Sequence, residues 1–283
     1  MKIGISLGNA YKTPTADLVK TVADIGFEAI APSMPLQRQA FDLEKIADSA
    51  KACGVCIPFL HAPFLHAAAL WQDAGNEGAL GEKELMEGIE LCRAYEIPQL
   101  VVHAWIGFEP WEGCLELGFS RMDRVVSTAK RYGVGISLEN TEGEKYLHAL
   151  MQRYAGEKTV GFCYDSGHEQ CYNRGENLLA LYGDRLTVTH LNDNLGICDP
   201  EGRITPLDDL HLLPFDGIID WEKTALRLKK SALPEVLNFE LNINSKPGRH
   251  ENDAYEKMTY EAYFTEAYQR ACRVRALIEA AKI

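Results

Sequence analysis

No stretch of this 283-residue sequence reaches the roughly 18 apolar residues that a membrane-spanning helix needs, so no span is expected. The start, Met1-Lys-Ile-Gly-Ile-Ser6, lacks the apolar core and small-residue cleavage site of a secretory signal. Basic residues are scarce: 29 Lys and Arg stand against 41 Asp and Glu, a net charge of −12. That balance argues against a surface built to grip a phosphate backbone, so nucleic acid is not an expected partner. Neither G-x-G-x-x-G nor a Walker motif is present, which removes the usual cradle for nucleotide phosphates. Cys53-Gly-Val-Cys56 has no second C-x-x-C to pair with and reads as two small buried residues. The eight cysteines are scattered, as expected of reduced thiols in a cytoplasmic protein. Without repeats, low-complexity runs or linkers, residues 1–283 read as one domain.

What is present is an alternation of short apolar runs and amphipathic stretches. Strands are expected at Lys2–Leu7, Phe27–Ala31, Val55–Leu60, Gln99–Ala104, Val134–Asn140, Thr159–Asp165, Leu186–His190 and Val236–Glu240. The third is expected to be short or irregular, because Pro58 lies inside it. Helices are expected from Thr15 to Gly26 and over Leu43–Cys53, Glu82–Tyr95, Leu115–Tyr132, Glu144–Tyr154, Glu176–Tyr182, Trp221–Lys230 and Ala254–Lys282. Leu65–Gly81 reads as a long connection. Eight β-α units in a chain of this length predict a parallel α/β fold closed into a (β/α)8 TIM barrel, with an open doubly wound sheet as the alternative.

In such a barrel the chemistry sits at the C-terminal ends of the strands. That end collects His61, His103, Glu139, Asp165, His190 and Glu240, with His168, Asp193, Asp209 and His211 in the loops beyond. Each alone has a bland explanation, as a turn cap or a paired surface group. Together they would bury unneutralised charge at a cost of roughly several kcal/mol per group. A divalent cation removes that cost. The mixed O/N donor set admits Mn, Mg, Co or Zn.

The motifs Ser137-Leu-Glu139-Asn140, Asp165-Ser-Gly-His168, His190-Leu-Asn-Asp193-Asn194 and Asp209-Leu-His211-Leu-Leu-Pro214 resemble the xylose-isomerase-like barrel superfamily. It contains sugar and sugar-phosphate isomerases and epimerases, and the endonuclease IV type apurinic endonucleases. The epimerase pattern implies one divalent ion held by Glu139, Asp165, His190 and Glu240. It implies Glu139 and Glu240 as the catalytic acid–base pair, working through a metal-stabilised enediolate. It also implies substrate contacts from His61, His103, His168 and His211. Trp71, Trp105, Phe108 and Trp111, in the loops over the mouth, are candidates either to stack on a sugar or sugar phosphate as substrate-binding groups or simply to anchor their loops, and Arg203, Lys246 and Arg249 are candidates to meet a phosphate. The endonuclease pattern instead implies three zinc ions on His61, His103, Glu139, Asp165, His168, His190, Asp209, His211 and Glu240. A sugar dehydratase or lyase is a third alternative. The acidic surface and long terminal helix suit a homodimer.

Overall fold

A computed structural model describes residues 1–8, 11–36, 41–73, 75–110 and 112–283. Among these, eight strands alternate with helices. The strands are β1 (Lys2–Leu7), β2 (Ala29–Pro32), β3 (Phe59–His61), β4 (Gln99–His103), β5 (Gly135–Glu139), β6 (Val160–Asp165), β7 (Leu186–His190) and β8 (Val236–Phe239). The helices are α1 (Thr15–Ile25), α2 (Leu43–Cys53), α3 (Glu77–Ala94), α4 (Leu115–Tyr132), α5 (Glu144–Arg153), α6 (Ser166–Cys171), α7 (Leu178–Tyr182), α8 (Trp221–Lys229) and α9 (Tyr260–Ala280).

All paired strands are parallel, in the orders β2-β1-β8 and β3-β4-β5-β6-β7. Single bridges join the two sets: Ala29 with Cys56 and Ser33 with His61 on one side, Leu191 with Phe239 on the other. The sheet thereby closes into the expected TIM barrel. The starts of α2, α8 and α9 carry side-chain caps for their free N–H groups. Asp42, Asp220 and Thr259 accept from the main-chain N–H of Lys45, Lys223 and Ala262.

The barrel interior is layered. Ala31, Phe59, Val101, Cys163 and Val188 form an apolar plug inside it. Towards the N-terminal end of the strands, Ser137 Oγ donates to Gln99 Oε1 at 3.1 Å and lies 2.8 Å from Thr187 Oγ1. Outside, α1 to α5 and α9 pack their apolar stripes on the strands in one continuous core.

The elements depart from the sequence reading in a few places. β2 is shifted to end on Pro32, and β3 shrinks to Phe59–His61 beyond Pro58. The connection read over Leu65–Gly81 contains a 3-10 turn at Ala68–Trp71 and the first turn of α3. Gly78 and Gly81 discouraged a helix there, yet close packing needs them: a Cβ would fall 2.4 Å from the Arg121 guanidinium or 2.9 Å from the His66 carbonyl oxygen. The short α6 was not expected, α7 is shorter than read, and α9 begins only at Tyr260.

Candidate metal centre

Strand register brings the candidate side chains level. His103 pairs with Glu139 across β4 and β5, and Asp165 with His190 across β6 and β7. Glu240 follows β8 directly, its main-chain N–H donating to Leu191 O. The donor atoms of Glu139, Asp165, His190 and Glu240 all lie within 4.8 Å of one another. So do those of His61, His103 and Glu139, and those of Asp165, His168 and His211.

Glu139 is the hub. Its Oε2 lies 3.2 Å from Nε2 of both His61 and His103. Its Oε1 lies 3.0 Å from Nδ1 of His190 and 3.4 Å from Nδ1 of His168. The same His190 Nδ1 is 2.8 Å from Glu240 Oε2. Asp209 Oδ1 lies 3.2 Å from His168 Nε2 and 2.8 Å from His211 Nε2.

Three of these rings have their tautomer fixed from behind. His61, His168 and His211 each turn Nδ1 to a main-chain carbonyl, of Ala62 at 2.8 Å, Asn140 at 3.0 Å and Glu240 at 3.1 Å. A carbonyl only accepts, so each Nδ1 carries a proton. Each Nε2 then aims its lone pair at a carboxylate, which is repulsive unless a second proton or a cation lies between. Asp209 Oδ1 is buried without an aligned hydrogen bond, despite its two imidazole neighbours. His211 also holds a left-handed backbone, φ 50°, rare outside glycine. This donor set fits a divalent cation.

Without a cation, protons must balance the charge. Burial opposes ionisation of Glu139, but His190 and His103 hold it well below the usual carboxylate range. Burial likewise works against Glu240, which His190 pulls down to about 2, and against Asp209, which His211 and His168 hold well below its ordinary value. Burial disfavours the charged rings too, yet Asp165 and Asp209 raise His168 well above the imidazole range, and Asp209 raises His211 to about 9. His190 is raised in the same way, against its burial, by Cys163, Glu139 and Glu240. Asp165 is raised by burial itself.

A family model described as "Xylose isomerase-like TIM barrel" matches residues 19–261. The chain belongs to this family. A curated relative, the uncharacterized protein y4fM of Sinorhizobium fredii, is 29% identical over 215 residues. These are 71% of this chain but 62% of that protein, so the chain spans under two thirds of the relative's length. A D-tagatose 3-epimerase-like protein superposes with a TM-score of 0.71 at 20% identity, covering 99% of this chain and 97% of that one. D-Psicose 3-epimerase from Clostridium cellulolyticum H10 gives 0.72 at 12% identity, covering 98% and 99%. The IolI protein, solved with a zinc atom, gives 0.72 at 19%, covering 97% and 98%. At these identities the structural matches establish the fold.

In this xylose isomerase-like barrel, the centre opens on a cavity of about 300 Å3 lined by His61, His211, Glu240 and Lys246 together with Ser6, Tyr11 and Ser33. A larger hollow of about 940 Å3 lies at the other end of the barrel, around Val55, Gln99 and Val236. The ionisable cluster belongs to the smaller one.

Two expectations about the rim need correcting. Trp71 is fully buried against Tyr146, its indole N–H donating to Ala104 O. Trp105 stacks on Tyr146 at 4.3 Å and 7° and donates to Gly107 O. Both rings anchor loops, and neither offers a bare face for a sugar. Phe108 packs on Tyr172, and Trp111 lies outside the described residues. Of the basic groups, Arg203 is exposed and pairs with Asp199, and Arg249 turns to Asp208, Glu251 and Leu207 O. Lys246 lines the cavity.

The sequence reading missed the supports. Asn140 donates to Asp165 O and accepts from Asp165 N–H, tying β5 to β6 behind the centre. Asn192 Nδ2 donates to Asp165 Oδ2, and Asp165 Oδ1 caps α6 by accepting from His168 N–H. Gly167 is required between them, because a Cβ would fall 1.9 Å from Asn192 Oδ1. Asp193 is no part of the centre. It accepts main-chain N–H groups of Asn194, Phe215 and Ile219 and the indole N–H of Trp221. An antiparallel bridge to Leu212 beside it presents His211. The sequence signal for this clamp is Asp193 with Gly217 and Trp221 downstream.

Proposed function

We propose that this chain is a divalent-metal-dependent sugar or sugar-phosphate isomerase or epimerase. The observation that carries the reading is the convergence of Glu139 and Glu240 on one nitrogen of His190, at 3.0 and 2.8 Å. Both carboxylates are held below their ordinary range by the surrounding imidazoles, so both are ionised near neutral pH in the metal-free protein. One would take the proton next to a substrate carbonyl, and the other, first protonated from solvent through the cavity, would return one to that carbon. Glu240 keeps 24% of its side chain exposed while Glu139 keeps 1%, so Glu240 is the group that exchanges protons with the cavity. His211 and Lys246, which line the cavity, would hold substrate oxygens, with His168 behind them. A divalent ion held by Glu139, Asp165, His190 and Glu240 would supply a Lewis acid for the substrate oxygens. The structural likeness to sugar 3-epimerases supports the substrate class.

One observation favours a second reading, the three-zinc hydrolysis of abasic DNA implied by the endonuclease resemblance. The side chains of all nine residues in that pattern gather at the mouth in three sets. Against it stand the net charge of −12 and the engagement of Arg203 and Arg249 with carboxylates. The two readings separate in one assay. Metal-loaded protein is expected to interconvert a ketose or ketose phosphate and to leave abasic duplex DNA intact; cleavage of the DNA without sugar turnover would reverse the choice.

A further inference from the structure

The set formed by His168, Asp209 and His211 has the makings of a metal subsite. Both rings turn Nε2 on Asp209 Oδ1 and anchor Nδ1 on a main-chain carbonyl. Beside this set stands a lysine. Lys246 Nζ lies 3.5 Å from the other carboxylate oxygen, Asp209 Oδ2. The loop that carries Lys246 is pinned. Its main-chain N–H donates to Glu251 Oε1 at 2.8 Å. The buried Asn252 donates its side-chain amide to the carbonyls of Asn242 and Asn244, and its main-chain N–H to Ser245 Oγ.

We propose that Lys246 takes the place of a metal ion at this subsite. Its ammonium neutralises Asp209 and repels a divalent cation from the His168–Asp209–His211 set. Like charges a few ångströms apart in a confined cavity repel far more strongly than in water. A carboxylate already opposed by one cation also has less to gain from another. The centre therefore holds one ion fewer than its ligand sets could accommodate. The inference rests on reading the barrel mouth as a metal centre.

The test compares zinc bound at saturation, by elemental analysis and native mass spectrometry, in the full chain and in variants. Lys246→Met is expected to bind one zinc more than the unaltered chain. Lys246→Arg keeps the charge and should match the unaltered chain. Adding His211→Ala to Lys246→Met should remove the extra ion. Lys246→Gln, a second neutral variant, stands in if the Met variant does not fold. Equal stoichiometry in the unaltered chain and the neutral variants would overturn the proposal while leaving the metal centre standing. Three zinc ions in the unaltered chain would overturn it in favour of the trinuclear reading. No zinc in any variant would remove the metal reading and this inference together.

Discussion

Asp193 and Glu139 are both buried carboxylates at the C-terminal side of the barrel, and their surroundings differ in kind. Asp193 accepts from the main-chain N–H groups of Asn194, Phe215 and Ile219 and from the Trp221 indole. These donors are uncharged and fixed, and they satisfy its charge in place. Glu139 meets the rings of His61, His103, His168 and His190. A ring nitrogen facing a carboxylate can be satisfied by a proton or by a metal ion, and the two exchange. The fold uses the first arrangement where it needs a clamp. It uses the second where the charge must respond to what enters the cavity.

The comparison is broken most sharply at the mouth. Glu139→Gln and Glu240→Gln should each lower turnover by at least about 100-fold, the scale of lost acid–base catalysis. Steady-state rates on the best sugar substrate would measure this. Near-normal rates in either variant would remove the two-carboxylate mechanism.

The clamp should fail differently. Asp193→Ala leaves the Trp221 indole and three main-chain N–H groups without their acceptor. Unfolding in urea should show a loss of about 2–4 kcal/mol, given roughly 1–3 kcal/mol for each buried donor left unsatisfied and partial relaxation towards water. The loss should be the same with and without metal. A loss that appears only in the metal-loaded protein would place Asp193 in the centre after all.

A smaller effect separates protons from metal at the mouth. Glu139, Asp209 and Glu240 are held below their ordinary range. The stability they contribute is present above a pH of about 4.5 and is lost as acid is added, for Glu240 towards about 2. His168, His190 and His211 are held above theirs. Their contribution is complete below about 6.5 and is lost as pH rises, for His211 through about 9. Asp165, raised by burial, works against the other carboxylates. The melting temperature of metal-free protein should therefore fall from pH 6.5 to 9, and a divalent ion should make that limb shallower by replacing the proton of His190, the one imidazole in its ligand set. Identical limbs with and without metal would contradict the exchange.

The barrel and the ionisable side chains gathered at its mouth were legible because both depend on short-range pattern. Val160–Asp165 reads as a buried strand from its own composition, and its last side chain must lie at the rim. The clamp was not legible, because Asp193 finds Trp221 and Phe215 only after the intervening loop has folded back. Trp71 and Trp105 looked like rim aromatics for the same reason. Their partner Tyr146 lies in α5, and nothing local says that the loops turn inward to meet it. Gly78 and Gly81 hid the start of α3, because the packing that favours them comes from Arg121 and His66.

The most direct test of the account is a titration of chelator-treated protein with Mn2+ in weakly buffered solution near pH 7, recording ions bound and protons released together. The account predicts saturable binding of one ion per chain accompanied by proton release, with both signals lost in Glu139→Gln. Absence of saturable binding, or binding that Glu139→Gln leaves unchanged, would contradict it.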